Sequence, residues 1–143
     1  DSMNSGINVV DYTPGDYPAV IEMWNELGLG GAHRGDNESV IEKCNALGGF
    51  LLLLKNTDGT VIGSSWITTD GRRCYLHHFG ISKRFQGQGL ARLLMNESME
   101  RIRGMGMQVK LEVHRDNIKA LSLYKKYGYQ YLGDYDVYII RNI

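Results

Sequence analysis

The chain has 143 residues, of which 43% are hydrophobic and only two are proline, a composition that supports a folded core and argues against disorder. Sixteen basic residues balance sixteen acidic ones, which gives no reason to expect nucleic acid or an anionic membrane as a partner. No apolar run approaches the roughly 20 residues of a membrane span, no secretory leader is recognisable, and the isolated Cys44 and Cys74 suggest neither a disulfide framework nor a zinc site, so a cytoplasmic compartment is expected.

Asp1-Ser2 ahead of Met3 reads as a remnant of expression, which leaves residues 3–143 as one expected domain. A short strand is predicted from Ile7 to Tyr12. Thr13-Pro14-Gly15-Asp16 then reads as a helix start, with Thr13 as N-cap, Pro14 in the first helical position and Asp16 in the first turn. Val20, Ile21, Trp24 and Leu27 give that helix its apolar face, and Gly28 stops it. From Gly28 to Gly35 four of eight residues are glycine, so regular structure is not expected there. Asp36 is expected to cap a second helix running to about Leu47, with Val40, Ile41 and Cys44 facing inward.

After Gly48-Gly49 the pattern changes to strands. Phe50 to Leu54 is a continuous apolar run, as a strand buried on both faces shows. Asp58-Gly59 is a hairpin signal, Val61 to Thr69 returns, and Asp70-Gly71 turns the chain again into a strand from Tyr75 to Ile81. That strand breaks into a basic loop, Ser82 to Gly89, and an apolar-periodic helix follows to about Arg103, ended by Gly104 and Gly106. Leu90, Leu93 and Leu94 form its inner face, and Arg92, Glu97, Glu100 and Arg103 its outer one. Met107 to His114 alternates apolar and polar residues as a half-buried strand does. Asp116-Asn117 opens a last helix, with Ala120, Leu121, Tyr124 and Tyr127 on one stripe and Gly128 closing it. Tyr129 to Ile140 reads as a final hairpin around Gly133-Asp134. The order β-α-α-β-β-β-α-β-α-β-β is that of an α/β mixed sheet.

The loop between strand and helix is the chemically informative stretch. The first turn of a helix leaves backbone N–H groups without intrahelical partners, and the macrodipole puts partial positive charge there. Gly87 and Gly89 let the backbone approach an anion closely, and Lys83 and Arg84 add full charges, so the expected ligand carries phosphate, as a pyrophosphate does. A plain tight connection is the alternative. A dinucleotide fold is another, since Gly87-x-Gly89 resembles the start of G-x-G-x-x-G and Glu112 lies about where such folds place a ribose-binding acid. Arg92 stands where the third glycine belongs, and the loop comes too late in the chain to begin a run of βαβ units.

Arg84-x-x-Gly87-x-Gly89 followed by Leu90-Ala91 resembles the Q/R-x-x-G-x-G/A signature of the GNAT superfamily of acyl-CoA-dependent N-acetyltransferases. Further on, Asn117-x-x-Ala120-Leu121-x-Leu123-Tyr124-x-x-x-Gly128-Tyr129 resembles its second signature. The resemblance implies the single-domain GNAT fold, a mixed, mostly antiparallel sheet with about four helices, and acetyl-CoA as co-substrate without a metal. Phe79, Gly80 and Ile81 look like the strand segment whose backbone pairs with the pantetheine arm. Arg84, Gln86, Gly87, Gln88, Gly89, Leu90 and Ala91 look like the pyrophosphate cradle. Asn117 resembles the asparagine that reaches the pantetheine side, and Tyr124 the tyrosine that protonates the departing thiolate. Leu111-Glu112-Val113-His114 resembles the Leu-Glu-Val-Arg strand of the ribosomal-protein alanine N-acetyltransferases, in which the glutamate helps deprotonate the amine; His114 replaces the arginine.

The reaction explains the residue types. A protonated amine must lose a proton before it attacks a thioester, and a carboxylate such as Glu112 takes it. The tetrahedral intermediate needs a donor at its oxygen, which a strand N–H between Phe79 and Ile81 supplies. The thiolate leaves more easily with a phenol donor such as Tyr124. Neither cysteine lies in a motif, which favours direct attack in a ternary complex. Duller roles stand beside these: Glu112 as a solvated charge, Tyr124 as core, Asn117 as a helix cap, Arg34 as a surface arginine rather than a grip for a substrate carboxylate. Trp24 and Trp66 read as core. His77 and His78 are strand neighbours, expected to point to opposite faces and not to share a metal, though either one is an alternative base. The acceptor is a peptide N-terminus or a small amine, with a monomer or homodimer equally compatible; a non-catalytic acyl-CoA-binding module is the competing reading.

Overall fold

Five strands form one sheet in the order β1 (Asn8–Asp11), β2 (Phe50–Lys55), β3 (Val61–Thr69), β4 (Arg73–Ile81) and β5 (Gln108–Leu111) in the computed structural model, which describes residues 6–30 and 34–143. Gly31, Ala32 and His33 of the glycine-rich segment, and the residues around Met3, lie outside the described ones. Neighbouring strands are antiparallel except β4 and β5, which run parallel. A parallel pair cannot be joined by a tight turn. Helix α3 (Leu90–Met105) makes the crossover. The other helices are α1 (Tyr17–Glu26), α2 (Glu38–Ala46) and α4 (Ile118–Lys126). One compact unit runs as far as Leu111, and a second spans Glu112–Ile143.

The continuous apolar run behaves as expected, since Phe50 to Leu54 are all buried. Strand alternation then divides β3 between the two faces of the sheet. Trp66 stacks on Trp24 of α1 at 5.6 Å between centroids, while Ser65 faces the other way, 2.7 Å from the Ser98 hydroxyl of α3. Val20, Met23 and Trp24 of α1 join Ile41 of α2, Leu51 and Leu53 in the core on the first face. Leu90, Leu94, Met95 and Ile102 are the buried apolar side chains of α3, at the helical spacing the sequence shows.

Several boundaries differ from the sequence reading, and four of the differences are informative. The chain after Thr13 starts as a 3-10 turn, Pro14–Asp16, with the Asp16 carboxylate accepting from the Thr13 N–H at 2.9 Å, and α1 follows from Tyr17. Helix α2 is capped by Asn37, whose side chain accepts from the Val40 N–H at 3.0 Å, and not by Asp36. Both residues are competent caps, and the one not needed becomes available elsewhere. Helix α3 runs through Gly104 and is closed by Gly106 alone, at φ 69°. Strand β5 ends at Leu111, so Glu112 follows the strand as an exposed residue instead of sitting on its polar face. The parallel ladder runs from Arg73–Gln108 to Leu76–Leu111 and stops where β4 becomes irregular.

In the second unit α4 has the expected ends. Asn117 accepts from the Ala120 N–H at 3.2 Å, and Gly128 closes the helix at φ 92°. The tail does not form the expected hairpin. Gly133 and Asp134 make the turn, but the described residues on either side form no strand, and Tyr131, Leu132, Tyr135, Val137 and Tyr138 are exposed. The turn signal is local, whereas a hairpin is marginal unless a face is buried against a further layer.

The cap assignment is testable by urea unfolding. Asn37→Ala should lower stability by about 1 kcal/mol, and an unchanged midpoint would return the cap to Asp36.

Candidate active site

Strand β4 changes character at its middle. Trp66 of β3 stands opposite His77, and Ser64 opposite Gly80, so the single residue Ser65 faces the two residues His78 and Phe79. This is a β-bulge, and it re-aims side chains. His78 takes φ 46°, the one positive value at a non-glycine position among the described residues. The bulge overturns the expected alternation, because the rings of His77 and His78 both lie against Trp66, at 5.8 and 5.5 Å between centroids. No group of three metal-ligating side chains occurs among the described residues.

A chain of hydrogen bonds fixes the bulge. The Trp24 indole N–H donates to Ser64 Oγ at 2.9 Å, and the Ser64 hydroxyl donates to the His78 carbonyl at 2.6 Å. Ser64 is fully buried, so it is a short, solvent-shielded link from α1 to the irregular residue. Past the bulge, Gly80 and Ile81 are registered with Ser64 and Gly63 of β3, while the β5 ladder has already ended at Leu76. The segment Phe79 to Ile81 is therefore the part of β4 that has left β5 behind.

Its far end is held by α1 as well. Glu26 accepts from the Ser82 hydroxyl at 3.1 Å and from the Lys83 N–H at 2.9 Å. The sequence reading missed Glu26, for nothing local distinguishes it from any acidic residue in a last helical turn. Gln86 returns to the same place, its side-chain amide donating to the Ile81 carbonyl at 2.8 Å. The Arg84 guanidinium lies over the Phe85 ring at 5.3 Å in an exposed 3-10 turn, Lys83–Phe85.

The loop then opens into α3. Gly87 and Gly89 both have φ of 80°, the left-handed region that costs a side-chain-bearing residue roughly 1–2 kcal/mol. A Cβ at either position would meet nothing within 4 Å, so the glycines answer a backbone requirement and border open space. The N-termini of α2 and α4 are closed by asparagine side chains, whereas Gly89 at the start of α3 brings none. The first-turn amides of Leu90 and Ala91 thus donate no hydrogen bond to an N-cap side chain at the positive end of the helix dipole. A diphosphate fits this arrangement.

Glu112, Asn117 and Tyr124 belong to the second unit. Glu112 is exposed, and Asn117 serves as the α4 cap described above. Tyr124 is buried, and its phenol is pushed up to about 12 by burial, so it holds its proton throughout the neutral range. Its ring meets Tyr129 at 5.6 Å. Arg34 donates to the carbonyls of Gly30 and Gly28, at 3.2 and 3.4 Å, and so ties its own loop. Burial pushes the thiols of Cys44 and Cys74 up, which disfavours the nucleophilic thiolate. No helix among the described residues is long and apolar enough to cross a membrane.

Comparison with known proteins adds the following. The model of the acetyltransferase (GNAT) family matches residues 17–129. An acetyltransferase from Streptococcus agalactiae 2603 superposes with a TM-score of 0.80 at 19% identity, over 94% of this chain and 92% of that one. The ribosomal-protein-S18-alanine N-acetyltransferase from Escherichia coli gives 0.72 at 18%, over 85% and 76%. A GNAT family acetyltransferase from Elizabethkingia anophelis with acetyl-CoA bound gives 0.66 at 18%, over 87% and 76%.

The left-handed requirement generates a prediction. Gly89→Ala should weaken coenzyme A binding, measured by calorimetry, by about tenfold, the equivalent of roughly 1–2 kcal/mol of backbone strain. Unchanged affinity would show that the loop does not hold the ligand in this conformation.

Proposed function

This chain belongs to the acetyltransferase (GNAT) family, and from that premise we propose that it transfers the acetyl group of acetyl-CoA to a primary amine by direct attack in a ternary complex. The observation that carries the reading is the glycine loop after β4, with Gly87 and Gly89 left-handed and no N-cap side chain at the start of α3. In this proposal Arg84, Gln86, Gly87, Gln88, Gly89, Leu90 and Ala91 receive the diphosphate. The backbone of Phe79, Gly80 and Ile81 pairs with the pantetheine arm, which the early end of the β4–β5 ladder supports. Asn117 reaches the same arm. Residues 3–143 act as one domain.

Two proton transfers remain. Tyr124 gives its proton to the leaving thiolate, a role supported by a phenol that burial keeps protonated through the neutral range. Glu112 and a histidine of β4 compete for the proton of the amine. Well-placed transfers of this kind contribute ~10²–10⁴-fold each. The un-ionised state favoured for Cys44 and Cys74 supports direct attack over an acyl-enzyme. The acceptor is a peptide N-terminus or a small amine.

The test is a panel of amines and N-terminal peptides incubated with acetyl-CoA, with thiol release and acetylated product both followed. Release that depends on an amine supports the transferase. Tight coenzyme A binding with no release from any acceptor would instead make the chain a non-catalytic acyl-CoA-binding module. Tyr124→Phe should lower kcat by ~10²-fold or more and leave acetyl-CoA affinity unchanged; lost affinity with intact turnover would contradict its assigned role.

A further inference from the structure

Asp36 and His78 lie 42 positions apart in sequence, yet His78 Nε2 stands 2.8 Å from Asp36 Oδ2. Both side chains are largely enclosed, at 10% and 24% exposure for His78 and Asp36. The His78 ring is edge-on to Trp24 at 4.5 Å and tilted against Trp66 at 5.5 Å, so its plane is fixed from two sides. Its backbone sits in the strained left-handed region at the bulge, held there through Ser64. Strain of this kind persists only where the surroundings over-determine it, and it concentrates at functional sites. The bulge opens directly onto Phe79 to Ile81.

We infer that His78, oriented by Asp36, is the general base that takes the proton from the acceptor amine. The inference rests on the transferase reading above and names the proton acceptor that reading leaves open. A carboxylate only accepts hydrogen bonds, so contact with Asp36 places the imidazole proton on Nε2. Nδ1 then carries the lone pair, and it has no hydrogen-bond partner among the described residues. The ammonium of the acceptor gives one proton to Nδ1. The freed nitrogen pair forms the N–C bond to the thioester carbonyl, and the C–S bond breaks with its electron pair on sulfur. The nitrogen sheds its second N–H proton as the amide forms, which balances the proton the sulfur takes up. In net one proton leaves, from the His78 imidazolium to solvent, while the Asp36 carboxylate offsets the positive charge during the step. Asp36 acts as a positioning residue. It is free to do so because Asn37 caps α2 in its place.

The experiment measures kcat/KM for a reactive amine against pH, with acetyl-CoA affinity measured separately. His78→Asn is the informative variant, since asparagine tolerates the left-handed backbone but offers no basic nitrogen. His78→Gln, His77→Asn and Glu112→Gln accompany it, His77 being the neighbouring titratable group on β4 and Glu112 the rival base. The expected result is a loss of ~10²–10⁴-fold in His78→Asn, with its acidic limb gone and coenzyme A affinity kept. Asp36→Asn should lose less and move that limb. Wild-type activity and an intact limb in His78→Asn, with the loss falling on Glu112→Gln or His77→Asn instead, would overturn the assignment. If the wild-type chain releases no thiol with any amine, the transferase reading itself fails, and the role of His78 with it.

Discussion

Everything in the proposed site depends on one irregularity, the bulge at which β4 admits an extra residue and turns away from β5. The β4–β5 ladder ends at the pair Leu76–Leu111, just ahead of the bulge. The bulge needs a left-handed residue, and a histidine there costs roughly 1–2 kcal/mol that glycine would not. Two hydrogen bonds, Trp24 to Ser64 and Ser64 to the His78 carbonyl, contribute on the order of 0.5–1.5 kcal/mol each and offset it. The strained residue is thus tied through Ser64 of β3 to Trp24 of α1.

Helix α1 explains why the segment after the bulge keeps its course. Its Trp24 holds the beginning, through Ser64, and its Glu26 holds the end, through Ser82 and the Lys83 amide. The two residues are separated by two positions, so they leave the helix in different directions. Phe79, Gly80 and Ile81 lie between these anchors, and Gly80 and Ile81 are registered with β3. The helix thereby aligns the strand segment with the loop, and the loop with the amides of α3. Ground-state order of this kind matters for a reaction whose rate rests largely on positioning two substrates together.

Much of this was legible because the signals are local. The apolar run of β2, the hairpin turns, the glycines of the loop and the Asn117 and Gly128 ends of α4 are set by residues close in sequence. What the sequence concealed depends on partners far away. Asp36 and Asn37 are equally good caps on paper, and in the fold Asn37 caps α2 while Asp36 meets His78. Period-two alternation sends His77 and His78 to opposite faces, and a bulge leaves no trace in composition. Glu26 looks like any charge at a helix end. The tail failed in the opposite direction: Gly133 and Asp134 give a true turn, but pairing of the flanks requires a surface to bury them. The proposed roles of Glu112, Asn117 and Tyr124 come from motif position.

The central claim is that main-chain amides at the start of α3 hold a diphosphate. Amide resonances followed by NMR during titration with coenzyme A test it without any turnover. The account predicts saturable shifts at Gly87, Gly89, Leu90 and Ala91 that disappear when pantetheine, which lacks the diphosphate, replaces the ligand. Shifts of equal size with pantetheine, or none at these four amides at saturation, would contradict it.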